Sequence, residues 1–123
     1  MTPFGKKVRE MRAARGIALK AMAHEMGVSP AYLSALEHGH RGKPTWYLVQ
    51  KIVSFFNVIW DEAEDLERLA QISDPRVTLY TAGLSPVVTE AANIFEKKIK
   101  SLSESEAQAI LGILGGVDDR SSA

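Results

Sequence analysis

The chain has 123 residues, enough for one ordinary domain or for a small domain with an accessory segment. Hydrophobic residues make up 46% and charged residues 24%, a balance that folds rather than staying disordered. Cysteine is absent, which removes disulfides and thiolate metal sites; there is no secretory h-region and no apolar run of about 18 residues, so the expected compartment is a reducing cytoplasm with no membrane partner.

In chain order, Phe4, Val8, Met11 and Ala14 mark one face of a first helix from about Pro3 to Arg15, stopped at Gly16. Ile17 is a candidate core residue before a second helix, where Leu19, Met22, Ala23 and Met26 recur at helical spacing. Gly27 can adopt the positive φ that ends this helix, Ser29 can cap the next one, and Pro30 suits its first position. In the third helix Leu33 and Leu36 point inward. Two helices joined by so short a corner form a helix-turn-helix, whose second helix fits a major groove about 12 Å wide.

Gly39 to Thr45 reads as an exposed loop with Arg41 and Lys43 flanking Gly42. A fourth helix draws its core from Trp46, Leu48, Val49, Ile52, Val53, Phe55 and Phe56, and ends near Asn57. A fifth is expected from Asn57 to Ile72, with Trp60, Leu66, Leu69 and Ile72 inward and an acidic outer face. Ser73-Asp74-Pro75 breaks the pattern, and the alternating, β-branched stretch from Arg76 to Thr81 predicts one short strand. Ser85 and Pro86 open a helix running to about Leu102, and Ser103 to Glu106 form a capping box before a last helix stopped at Gly115-Gly116.

From Ala18 to Gly39 the chain resembles the Cro and phage-repressor class of DNA-binding domain, the XRE family. Ala23, Gly27, Val28, Ser29, Leu33, Ser34, Glu37 and Gly39 match its signature in register. The resemblance extends over roughly residues 4 to 60. It implies a five-helix lambda-repressor-like DNA-binding domain, placed over residues 1–72 of a mainly α protein; the patterning beyond it predicts a dimerisation segment of one strand and two helices over 73–116, and residues 117–123 are expected to form a flexible tail.

The resemblance also assigns contacts. Base edges are met from Pro30, Ala31, Ala35, Tyr32 or Ser34, while Ser29 and His38 fall near phosphates. Arg41, Gly42 and Lys43 add backbone amides and charge to the phosphate contact. None of the helical positions is an Arg, Asn or Gln capable of bidentate base reading, so readout is expected from apolar contact, Tyr32 and DNA shape. Leu19 stands where many relatives carry a backbone-contacting Gln. Arg12 is expected to pair with Glu37 as a structural ion pair.

Charge supports the same reading. Residues 1–51 carry nine Lys and Arg against three Glu, a net of +6, while the remainder carries six basic and twelve acidic residues, a net of −6. A basic half of this kind suits double-stranded DNA. Val77, Leu79, Ile94, Phe95, Ile99, Leu102, Ile110, Leu111 and Leu114 expose more apolar surface than two helices and a strand can cover alone, so a homodimer is expected. The competing expectation is an antitoxin-like or antiactivator module that holds another protein through this segment, with DNA binding secondary. No cofactor, metal or catalytic set is expected: His24, His38 and His40 lack ligand spacing, and the acids of residues 61–67 have no histidine or cleft beside them.

Overall fold

The structure is a computed structural model that describes residues 1–117, so the tail expected beyond Val117 lies outside the described residues. The chain divides into two units, Met1–Val77 and a second from Thr78 onward. The first holds five helices: α1 (Pro3–Ala14), α2 (Leu19–Met26), α3 (Pro30–Glu37), α4 (Trp46–Phe56) and α5 (Asp61–Gln71). Phe4, Val8, Met22, Leu33, Ile52, Phe56 and Leu66 are its largest fully buried side chains. Each contributes about 1.5–3 kcal/mol through burial. Every helix of the unit therefore sends at least one side chain into a common core.

Helix ends follow local chemistry. Thr2 Oγ1 accepts from the Gly5 amide at 3.0 Å, and Thr45 Oγ1 accepts from the Leu48 amide at 3.2 Å. The start of α1 also binds distant elements: the Thr2 amide donates to the Glu37 carbonyl at 3.2 Å, and the Phe4 amide donates to Ser73 Oγ at 2.9 Å. Gly5 makes that approach possible, since a Cβ there would lie 2.6 Å from the Glu37 carbonyl carbon and 2.7 Å from its Cα. Only hydrogen fits between α1 and the end of α3.

Several expectations need correction. Helix α5 begins at Asp61, not Asn57: Asn57 has φ 54° and closes α4, Val58 enters the core, and Trp60, at φ 55°, is 78% exposed. Trp46 is 73% exposed rather than buried, because it occupies the first position of α4 while Val49, Ile52 and Phe56 face inward. The strand over residues 76–81 does not form. The segment has no regular structure and no ladder partner among the described residues, leaving Val77 and Leu79 exposed. Alternation alone does not make a strand, which needs a neighbour to accept its hydrogen bonds. Ala14 and Ile72, expected on inward faces, are also exposed.

The second unit contains α6 (Pro86–Lys98), a 3-10 turn at Ile99–Ser101, and α7 (Glu104–Gly115). Ser85 Oγ accepts from the Val88 amide at 3.3 Å to cap α6. At α7 the capping box is complete: Ser103 Oγ accepts from the Glu106 amide at 3.1 Å, and Glu106 Oε1 accepts from the Ser103 amide at 2.9 Å. The Ser103 backbone and side-chain hydrogen bonds hold the Glu106 carboxyl below its ordinary value. No described residue of this unit is buried.

Candidate nucleic-acid interface

The corner between α2 and α3 is built by three residues. Gly27 adopts φ 72° and donates back to α2, the Val28 amide bonds the Ala23 carbonyl at 3.0 Å, and Ser29 Oγ accepts from the Tyr32 amide at 3.0 Å. Ala23 and Leu33 are fully buried, so α2 and α3 pack closely through a small residue on one side and a leucine on the other. The result is a short helix entered through a rigid, capped turn.

Helix α3 is anchored by its inward face. Leu33, Leu36 and Glu37 are buried. Arg12 Nη2 donates to both Glu37 carboxylate oxygens at 2.9 Å, and Arg12 Nε donates to Oε2 at 3.3 Å. The two side chains are only 10% and 4% exposed. A planar guanidinium holding a carboxylate along two edges fixes the last turn of α3 against α1. Neither group is available for chemistry.

The remaining positions of α3 face outward to different degrees. Ser29, Pro30, Ala31 and His38 are exposed, while Tyr32, Ser34 and Ala35 are half-buried. His38 Nδ1 lies 2.9 Å from the Ser34 carbonyl oxygen, and its ring stacks on that of His40 with centroids 6.3 Å apart. After α3 the chain doubles back: Gly39, at φ 82°, places the His40 amide 2.9 Å from the Ala35 carbonyl. Arg41 then lies with its guanidinium carbon 4.7 Å from the Tyr32 ring centroid. Gly42, at φ 78°, turns the chain outward again toward α4.

The basic residues divide into two groups that the sequence does not distinguish. Arg15 donates to the Phe56 carbonyl at the end of α4, and Lys51 Nζ donates to the Met26 carbonyl at the end of α2 at 3.1 Å. Both complement helix C-termini. Lys43, expected to be a free phosphate contact, donates to Gln71 Oε1 at 2.7 Å, and Lys7 lies 3.9 Å from Asp65. Arg9, Lys20 and Arg41 are exposed and make no ion pair among the described residues. Exposed Trp46 and Tyr47 stand at the start of α4, just after the loop that carries Arg41. Sequence reasoning placed Trp46 in the core; its position immediately after the Thr45 cap was the available signal that it starts the helix.

No cluster of three or more His, Asp or Glu side chains suited to a metal ion occurs among the described residues. No helix among the described residues is long and apolar enough to cross a membrane. What the first unit offers is a capped helix on the surface, small residues along its outer side and cations beside it. That arrangement presents a convex element of groove width to a polyanion.

Comparison with known proteins agrees with this geometry. The helix-turn-helix family model matches residues 8–62. An uncharacterised HTH-type transcriptional regulator of Bacillus subtilis, RghRB, is 34% identical over 61 residues, covering 50% of this chain and 44% of that protein. The HTH-type transcriptional repressor RghR of the same organism is 28% identical over 107 residues, covering 87% of this chain and 68% of that protein. The chain thus spans less than half the length of the first relative and about two thirds of the second. No solved structure matches significantly. With the turn at Gly27–Ser29 and the packing of α3 on α2, these matches identify residues 8–62 as a helix-turn-helix domain of the XRE type, similar to those of HTH-type transcriptional regulators.

Proposed function

We propose that the chain is a homodimeric repressor that occupies a palindromic operator, with α3 of each protomer in the major groove, in the cytoplasm of a bacterium or phage-bearing cell. The observation that carries the reading is the exposed first turn of α3, held rigid by the Ser29 cap and the buried Arg12–Glu37 pair. Pro30, Ala31, Tyr32, Ser34 and Ala35 meet base edges. Ser29, His38 and Gly42 meet the sugar-phosphate backbone, and so does Lys43, whose ammonium keeps donors beyond the one on Gln71 Oε1. The relative named a repressor supports repression as the outcome of occupancy.

Homodimerisation is supported by the second unit. Ile94, Phe95, Ile99, Leu111 and Leu114 are all exposed, and no described residue of the unit is buried. Such a surface needs a partner. Two copies related by a two-fold axis would set recognition helices one helical turn apart, about 34 Å. A protein partner other than a second copy is the competing occupant, favoured if the full chain is monomeric in light scattering. Gel shift over a salt series tests the DNA reading. One palindromic duplex should be preferred over random DNA by at least about 10³, with affinity falling as salt rises. Equal affinity for all duplexes contradicts it.

A further inference from the structure

The outer face of α3 lacks a side chain that reads a base by two hydrogen bonds, yet the fold brings one to it. We infer that Arg41 is a specificity-determining residue that reads a guanine in the major groove, with Tyr32 as the platform that holds its guanidinium in place. The inference rests on the DNA-binding reading above and adds which base class the site selects and through which residue.

Backbone geometry carries the first step. The positive φ of Gly39 and the bond from the His40 amide to the Ala35 carbonyl turn the chain back along α3 instead of away from it. Arg41 follows that turn, and its guanidinium carbon lies 4.7 Å from the ring centroid of Tyr32, a residue of the helix's first turn. That turn carries exposed Pro30 and Ala31, whose short side chains let a base edge come close to the helix. The N-terminal turn is also where a recognition helix meets bases.

Chemistry carries the second. An aromatic ring engages the face of a guanidinium and leaves the in-plane N–H groups unused. Arg41 makes no side-chain hydrogen bond or ion pair among the described residues. Its donors therefore bond no protein group among the described residues and are open to a ligand. Guanine O6 and N7 present two adjacent acceptors that match such a fork, and no other base offers that pair on its major-groove edge. Lys43, by contrast, is tied to Gln71, and Arg15 and Lys51 to carbonyls. Among the cations close to α3, Arg41 alone combines a planar fork with a rigid support.

The test uses the full chain and the operator obtained by selection from random duplexes. Each guanine of one half-site is replaced in turn by 7-deazaguanine, which lacks the N7 acceptor. Affinity is then measured for the wild type, Arg41→Lys, Arg41→Ala and Tyr32→Ala. One replacement should weaken the wild type about 5- to 150-fold, the discrimination expected of a bidentate contact. The same replacement should leave Arg41→Ala within about twofold, and Arg41→Lys and Tyr32→Ala should show intermediate losses. Arg41→Lys keeps its charge, so its binding to random DNA should not change. Arg41→Ala retaining the full sensitivity to deazaguanine, or operator and random DNA weakening equally in that variant, would overturn the inference. A selection that yields no preferred duplex is a separate failure, since it removes the regulator reading itself.

Discussion

Replacing Arg12 with alanine removes one side of the only ion pair buried among the described residues of the first unit. Glu37 would then keep a side chain 4% exposed after losing contacts at 2.9, 2.9 and 3.3 Å. Leaving a buried charge without its partner costs about 3–5 kcal/mol. A unit of this size has a stability of about 4–12 kcal/mol at 0.05–0.15 kcal/mol per residue, so the change removes a large share of it. At roughly 4–8 °C per kcal/mol, Tm should fall by more than about 12 °C. The double change Arg12→Met with Glu37→Leu leaves no buried charge and should recover most of the loss. Urea unfolding, followed by exchange of the Leu33 and Ile52 amides to isolate this unit, would give the coupling from a double-mutant cycle. A cost below about 1 kcal/mol for Arg12→Ala, or strict additivity of the two changes, would refute the role assigned to the pair.

Gly5→Ala should destabilise the unit by about 1–3 kcal/mol in the same assay, because its Cβ would meet Glu37 backbone held in place from two directions; a neutral result would mean that α1 and α3 stand further apart. Ser29→Ala should cost about 1 kcal/mol through loss of the bond to the Tyr32 amide, read as a shift in the urea midpoint. Glu106 has a lowered folded-state pKa, so its contribution to α7 is present above the ordinary value of 4.5 and is lost as pH falls through the lower folded value. The protection factor of the Ser103 amide, which donates to Glu106 Oε1, should therefore fall on acidification in the wild type and hold in Glu106→Gln, which keeps the box in neutral form. Removing the chain from Thr78 onward should leave a folded monomer with weaker operator binding; a truncated chain that still dimerises in light scattering would place the interface in the first unit.

The parts of this fold legible in sequence are those governed by neighbours along the chain. Ser29, Ser85 and Ser103 announce helix starts through side chains that bond amides three residues on, and Gly27 announces a stop through its φ. The Arg12–Glu37 pair was reached through family resemblance, since nothing local links residues 25 apart. Long-range contacts decide the rest. Gly5 looks like a weak point in a helix until the Glu37 backbone is seen beside it. Trp46 and Trp60 look like core because aromatics usually are, but one begins a helix and the other sits at a positive φ between two helices. Residues 76–81 have the composition of a strand and lack the partner that would make them one.

Charge has the same limit. The sequence gives a basic half without saying which cations are already used. Arg15, Lys51 and Lys43 bond to the protein itself, whereas Arg41 is returned to α3 by a turn that only the positive φ of Gly39 permits. The cations left without a protein partner in that region are fewer than the count of basic residues implies.

Because the chain contains no cysteine, a single one can be introduced to carry a chelated iron that cuts nearby deoxyribose. Placed by Ala31→Cys at the exposed first turn of α3, the probe should cleave the selected operator on both strands facing the major groove of each half-site. Placed by Glu10→Cys on the exposed side of α1, it should give no such pattern. Equal cleavage from the two positions, or none from Ala31→Cys in a complex that still forms, would contradict the placement of α3 in the groove.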